Sequence, residues 1–380
     1  MEKIIDNNKC CGCHACFNAC PKDAIEMVED EKGFKYPTIN QNKCINCGLC
    51  KKVCPIYNSN EEQRKIESYA SYNKNIEDRM NSSSGGIFIL LAKEIIKRNG
   101  IVFGACFDIK FNVVHSFCEK EKELTMFMGA KYVQSTIGET YKKAKEFLEK
   151  GRFVLFTGTP CQIEGLKSYL RKDYDNLYTQ DIICHGVPSP KLWKKYLEFQ
   201  KKHNNDQIQE ISFRNKEHGW AAFRTKISFK SKTYSESFNN DLYMKAFLNN
   251  VCLRNSCYNC SFKKMYRNSD ITLADYWGIQ KIHPDMYDDK GISLVVINSK
   301  KGKELFDAIK ESIIYKETSL NRALKYNIAM IKSANYSPNE QRLFANIDTL
   351  DMDKLVKKYV PHPKLSRKIK NTIKKIINKY

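Results

Sequence analysis

Beyond residue 66 two kinds of apolar pattern alternate along the chain. Ile101 to Phe107 and Phe153 to Phe156 are short and apolar throughout, the mark of strands buried on both faces. Tyr178 to Ile183, Ile271 to Leu273 and Leu294 to Ile297 read as further strands. Between them, helices are predicted over Ile87 to Arg98, near Glu139 to Lys150, from Gln162, from Lys191 and over Gly302 to Lys310. This alternation predicts an α/β sheet covered on both sides. Residues 211–238 break it: Ile211 to Phe213, Phe223 to Phe229 and Thr233 to Phe238 predict successive antiparallel strands, an insertion in the mixed domain.

The first 57 residues follow a different rule. Cys10, Cys13, Cys16 and Cys20 precede Pro21, and Cys44, Cys47, Cys50 and Cys54 precede Pro55, the same spacing repeated 34 positions on. C-x2-C-x2-C-x3-C-P is the bacterial ferredoxin run, in which the fourth cysteine of each copy ligates the other cluster. The expected 4Fe-4S sites are therefore Cys10, Cys13, Cys16 and Cys54, and Cys44, Cys47, Cys50 and Cys20. A pair of zinc sites would use C-x2-C but needs neither the extra cysteines nor the prolines. The domain reading is a ferredoxin module at 1–57, a polar linker at 58–65, a catalytic domain at 66–345 and a basic helical tail at 346–380.

Composition modifies this picture in three ways. At 380 residues the chain can bury a large core, and its 16 cysteines follow a polar start without a signal-peptide pattern, so a reducing cytoplasm is expected. The longest apolar runs are too short to span a membrane. The formal charge of +21 ignores about two negative charges on each cluster, and no nucleic-acid-binding motif accompanies it; an acidic partner or anionic surface fits better. Lys364 to Lys379 holds seven basic residues and no acid, with Leu365, Ile369, Ile373, Ile376 and Ile377 at helical spacing. That tail could lie on anionic lipid or dock on its own domain.

Eight cysteines remain. Cys257 and Cys260 form a C-x2-C in a loop, while Cys161 and Cys184 each follow a predicted strand, where α/β sites gather. A third 4Fe-4S cluster from these four is expected, against ordinary buried thiols, with Cys252 as substitute. Ser82 to Gly86 runs straight into an apolar helix, leaving backbone N–H groups for an anion such as a flavin or nucleotide phosphate; Thr157 to Cys161 is a similar turn. There is no G-x-G-x-x-G fingerprint and no Walker A loop.

TGTPCQ (Thr157 to Gln162), CHGVPSP (Cys184 to Pro190), SSSGG (Ser82 to Gly86), CYNC (Cys257 to Cys260), DITLADYWG (Asp270 to Gly278) and DKG (Asp289 to Gly291) together resemble the coenzyme F-420 hydrogenase/dehydrogenase beta-subunit family. The resemblance implies an iron–sulfur flavoprotein oxidoreductase, in which FAD exchanges hydride with coenzyme F-420 or another small molecule and 4Fe-4S clusters carry electrons. It implies Ser84, Gly85, Gly86, Thr157, Gly158 and Thr159 as FAD contacts, Asp275 and Trp277 beside the flavin, and Lys290 at phosphates or an acidic substrate. His185 would manage a proton or serve as a structural hydrogen-bonding group. The alternative is an electron-relay subunit that serves only a partner protein.

Overall fold

The structure, a computed structural model, describes residues 4–58 and 63–361. Part of the expected linker, 59–62, and the basic tail from Lys364 lie outside the described residues. Among the described residues the strands form three sheets. In the cysteine module β1 (Ile25–Glu29) and β2 (Lys35–Ile39) make an antiparallel hairpin. The strands of the large sheet are β3 (Glu67–Asn73), β4 (Ile101–Phe107), β5 (Val113–Cys118), β6 (Val154–Thr157), β7 (Leu177–Ile182), and later β11 (Ile271–Asp275), β12 (Ser293–Ile297) and β13 (Ile313–Glu317). The insertion carries β8 (Ile208–Asn215), β9 (Arg224–Phe229) and β10 (Thr233–Ser237), antiparallel as expected.

The eight-stranded order is β13-β3-β12-β11-β7-β6-β4-β5. Only the central block, β11, β7, β6 and β4, is parallel; every flanking pairing is antiparallel. The sheet is therefore mixed, in keeping with the mixed α/β domain expected. Two of the added strands hide well in the sequence. β3, ESYASYN, buries Ser68, Ser71 and Asn73 along with Tyr69 and Ala70, so no apolar run marks it, and β13 buries only its first residue, Ile313.

Side-chain alternation explains how the central strands serve two cores. Ile101, Phe103, Val154 and Phe156 pack against the helices Thr140–Glu149 and Pro160–Leu170, while Val102, Cys106 and Leu155 face the helices Ile87–Lys97 and Lys300–Ala308. A third, aromatic core joins the insertion to the helix Pro190–Asn204, with Trp193 and Tyr243 5.0 Å apart. The helix Met352–Tyr359 buries Leu355, Val356 and Tyr359 in that core, so the expected tail is part of the domain at least this far.

The cysteine module is bolted to this body. Arg254, fully buried, donates from Nε to the Cys10 carbonyl at 2.7 Å, and from its two terminal nitrogens to Gln134 at 2.9 Å and to the Lys35 carbonyl at 3.0 Å. Lys32 pairs with buried Glu340 at 2.5 Å, and Gly33, at φ 79°, lies so near the Lys191 backbone that a Cβ would come within 2.8 Å of its nitrogen. Glycine is required there on both counts.

Candidate functional site

The cysteine repeat is a backbone repeat as well. Gly12 and Asn46 share a left-handed conformation (φ 67° and 52°), and so do His14 and Gly48 (φ 62° and 70°), each pair 34 residues apart. These turns wrap each run around a centre. Cys20, Cys44, Cys47 and Cys50 line one small cavity with Pro21 and Leu49. Cys16 stands with Cys10 and Cys54: burial first, then the charges of those two thiolates, pushes its pKa up. Each group thus takes three cysteines from one run and the fourth from the other. In the first group Cys10, Cys13 and Cys54 are buried and Cys16 is half-buried, and Cys10 Sγ accepts from Arg254 at 3.7 Å; in the second, Cys47 is exposed.

Cys161, Cys184, Cys257 and Cys260 line another cavity, between the module and the sheet. Cys161 is the second residue of the helix Pro160–Leu170, with the Thr159 hydroxyl 3.1 Å from its Sγ; Cys184 follows β7; Cys257 Sγ accepts from the Val187 amide at 3.4 Å. Burial, the largest influence, pushes Cys184 up to about 12 against the opposing pull of the Lys263 and Arg267 charges, and pushes Cys257 further. Among the described residues no three His, Cys, Asp or Glu side chains converge on a single ion. A cube takes one thiolate per corner, so its ligands stand around it instead. Cys11 is a fifth thiol here, lining the same cavity as Cys161. Cys252, the substitute, is buried in the aromatic core and does not line the cavity.

A larger cavity of about 660 Å³ opens at the carboxyl ends of β6 and β7. This lies within the usual range for small-molecule sites, roughly 300–1,000 Å³. Ser84, Gly86, Thr157, Gly158, Thr159, His185, Asp275 and Trp277 all line it. Gly86, at φ 76°, starts the helix Ile87–Lys97 with no side-chain cap, and Ile87 and Phe88 also border the cavity, so the positive end of that helix opens onto it. Trp277 stacks on Trp220 at 4.8 Å, and Asp275 accepts from Trp220 Nε1 at 2.7 Å and from Arg214 at 3.0 Å. His185 donates from Nε2 to Asn250 at 2.6 Å, and burial lowers its pKa.

Two expected residues stand elsewhere. Gly85 does not line the cavity: its amide donates to Ser293 Oγ at 3.0 Å, and a Cβ would meet the Ser71 carbonyl at 2.5 Å, so it packs the turn against β3 and β12. Lys290 is exposed and also outside the lining; its carbonyl, at 2.7 Å, is one of three that hold Lys216 Nζ, with those of Ser84 and Arg79.

Several lining residues carry no sequence signal. Buried Arg214 leaves Nε without a partner, and Gln180 and Asn327 leave their amide oxygens so. Lys131 Nζ donates to the Met128 carbonyl at 3.0 Å, and burial pulls its pKa to about 8. His115 donates from Nε2 to the Thr157 carbonyl at 3.0 Å and accepts at Nδ1 from Ser135, 2.9 Å away. An uncapped helix start, an aromatic wall and unspent buried donors and acceptors fit a ligand with an anionic part and a flat polar ring, as a flavin dinucleotide has.

Residues 151–323 match the family model for the C terminus of the coenzyme F420 hydrogenase/dehydrogenase beta subunit, and residues 9–58 and 40–99 each match a "4Fe-4S dicluster domain". No curated protein matches the chain. A chain of the F420-reducing NiFe hydrogenase complex from Methanosarcina barkeri is similar at 15% identity, over 70% of this chain and 88% of that one, with a TM-score of 0.48.

Proposed function

We propose that this chain, which belongs over residues 151–323 to the coenzyme F-420 hydrogenase/dehydrogenase beta-subunit family and carries two 4Fe-4S clusters in its N-terminal module, is an iron–sulfur flavoprotein oxidoreductase. It passes electrons between its clusters and an organic hydride acceptor or donor, coenzyme F-420 or another small molecule. One observation carries the reading: Cys184, His185, Gly186 and Val187 line both the four-cysteine cavity and the large one. A single segment at the end of β7 therefore borders the place for a third cluster and the place for an organic cofactor.

FAD, when bound, supplies the exchange between hydride and single electrons. The chain's own residues hold it: Ser84, Gly86 and the open amides of the following helix take the phosphates, and the Thr157–Thr159 turn borders the cavity between them and Cys161. Trp277, braced by Trp220, forms a rigid wall, while Arg214 Nε and Gln180 Oε1 offer a donor and an acceptor. Gly85 shapes the turn from behind. Lys131 Nζ can hold or release a proton near neutral pH, and His185, fixed on Asn250, separates the two cavities. Cys161, Cys184, Cys257 and Cys260 ligate the third cluster.

The test is an anaerobic acceptor screen on protein whose clusters have been reduced, with F-420, nicotinamide and quinone acceptors. Hydride transfer to one of them, lost when the flavin is removed and restored with added FAD, is expected. Electron delivery to partner proteins alone, with no small molecule reduced, replaces the reading with the relay role.

A further inference from the structure

The two ferredoxin-type centres differ in how they meet solvent. The group around Cys10 lies inside the molecule: Cys10, Cys13 and Cys54 are nearly buried, Arg254 covers Cys10, and Gly165 of the helix Pro160–Leu170 lies where a Cβ would come within 2.9 Å of Cys13 Sγ. From there the chain of thiols leads inward, because Cys11 shares the next cavity with Cys161. The group around Cys44 is the outer end. Cys47 is exposed, Ile45 beside it is 58% exposed, and Tyr57 is 60% exposed.

The charge of the described residues around that outer end is mostly positive. Lys22 lines the cluster cavity, and Lys43, Lys51 and Lys52 each lie within two residues of a ligand; all four are exposed. Residues 40–58 contain no acid. Lys22, Lys43 and Lys52 form no ion pair with another described residue, and the nearby acid Asp23 turns to Lys142 at 3.4 Å. An exposed isoleucine ringed by lysines over an electron-transfer centre is the shape of a small, charge-steered encounter surface, the low end of interface sizes.

We propose that this face, centred on Ile45 and Cys47, docks an acidic one-electron carrier protein, and that electrons enter or leave the chain through the cluster held by Cys44, Cys47, Cys50 and Cys20. Each encounter moves one electron: the carrier is oxidised by one and the cluster reduced by one, or the reverse. The proposal rests on the two-cluster reading of the N-terminal module and needs neither the flavin nor the third cluster.

The experiment is anaerobic stopped-flow reduction of the full-length protein by fully reduced flavodoxin, an acidic carrier, read as bleaching of the iron–sulfur absorbance. The second-order rate constant should fall about tenfold between ionic strengths of about 0.01 M and about 0.15 M, as the screening length shrinks from about 30 Å to about 8 Å. Lys43→Glu/Lys52→Glu should lower it about tenfold at low salt and little at high salt, and Lys43→Gln/Lys52→Gln by a smaller factor in the same direction. Reduction by methyl viologen, a small cation, should not slow in either variant, and Lys201→Glu/Lys202→Glu at the end of the helix Pro190–Asn204 should leave the flavodoxin rate unchanged. A wild-type rate indifferent to salt, or charge-reversed protein as fast as wild type at low salt, overturns the proposal. Because only bleaching is read, absence of flavin would defeat the proposed function without affecting this result.

Discussion

Arg254 joins the two parts of the molecule through one side chain. Its guanidinium spends donors on the Cys10 and Lys35 carbonyls and on Gln134, with the Tyr36 ring 4.0 Å beneath it. Arg254→Met should cost about 3–5 kcal/mol in anaerobic unfolding, since it leaves buried acceptors unmet. It should also lower the potential of the buried cluster, because a nearby positive charge is lost. No motif marks this residue; its role comes from contacts more than a hundred positions away. His115 is equally hidden in sequence. Its Nε2 proton goes to the Thr157 carbonyl and its Nδ1 accepts from Ser135, so a second proton has no place, and burial holds its pKa near about 4. Between that value and the ordinary 6.5 the unfolded chain binds a proton that the folded chain does not. Stability should therefore fall by up to about 3 kcal/mol as pH drops through that window. Urea unfolding at several pH values should show this slope, and His115→Gln should flatten it.

At the scale of elements, spacing alone located the helices Ile87–Lys97 and Thr140–Glu149 and the strand β4 to within a residue or two, because each has one apolar pattern and one job. β3 escaped because Ser68, Ser71 and Asn73 are among its buried positions; the Ser68 hydroxyl donates to the Thr318 carbonyl and Asn73 Oδ1 accepts from the Asn75 amide, contacts that no local pattern announces. The helix Pro160–Leu170 shows a second way in which packing overrides local preference. Alanine at position 165 would favour the helix by about 1 kcal/mol, yet its Cβ would stand 2.8 Å from Cys13 Cβ. Gly165→Ala should therefore disturb the cluster beside it, seen as lower iron content and an altered spin-resonance signal. The start of the helix Ile87–Lys97 offers the cleaner test of anion binding. Ser83 lines the cavity, and its hydroxyl accepts from the Ala130 amide at 2.6 Å, a role that aspartate can keep. Ser83→Asp adds a charge that the helix end tolerates but a phosphate does not. Flavin affinity should drop at least about tenfold, about 1.4 kcal/mol, with iron unchanged.

For the whole molecule, the cysteine groups and the large cavity succeed one another inward: an exposed centre, a buried one, four cysteines around a cavity, and the segment Cys184–Val187 shared with the larger space. The first two groups were legible in the sequence because cluster spacing is rigid. Cys257 and Cys260 were legible as a C-x2-C, the convergence of Cys161 and Cys184 on them only as a tendency of strand ends, and the polar lining from Arg214 and Gln180 was not legible at all, since the sheet order that assembles it is set by long-range pairing. If one chain joins three 4Fe-4S clusters to a flavin, iron and released flavin measured together on anaerobically purified protein will show both. About twelve irons and one noncovalently bound FAD per chain are expected, falling by about four irons in Cys257→Ser with the ferredoxin-type pair retained. About eight irons and no flavin in the wild-type protein would rule out the joined pathway.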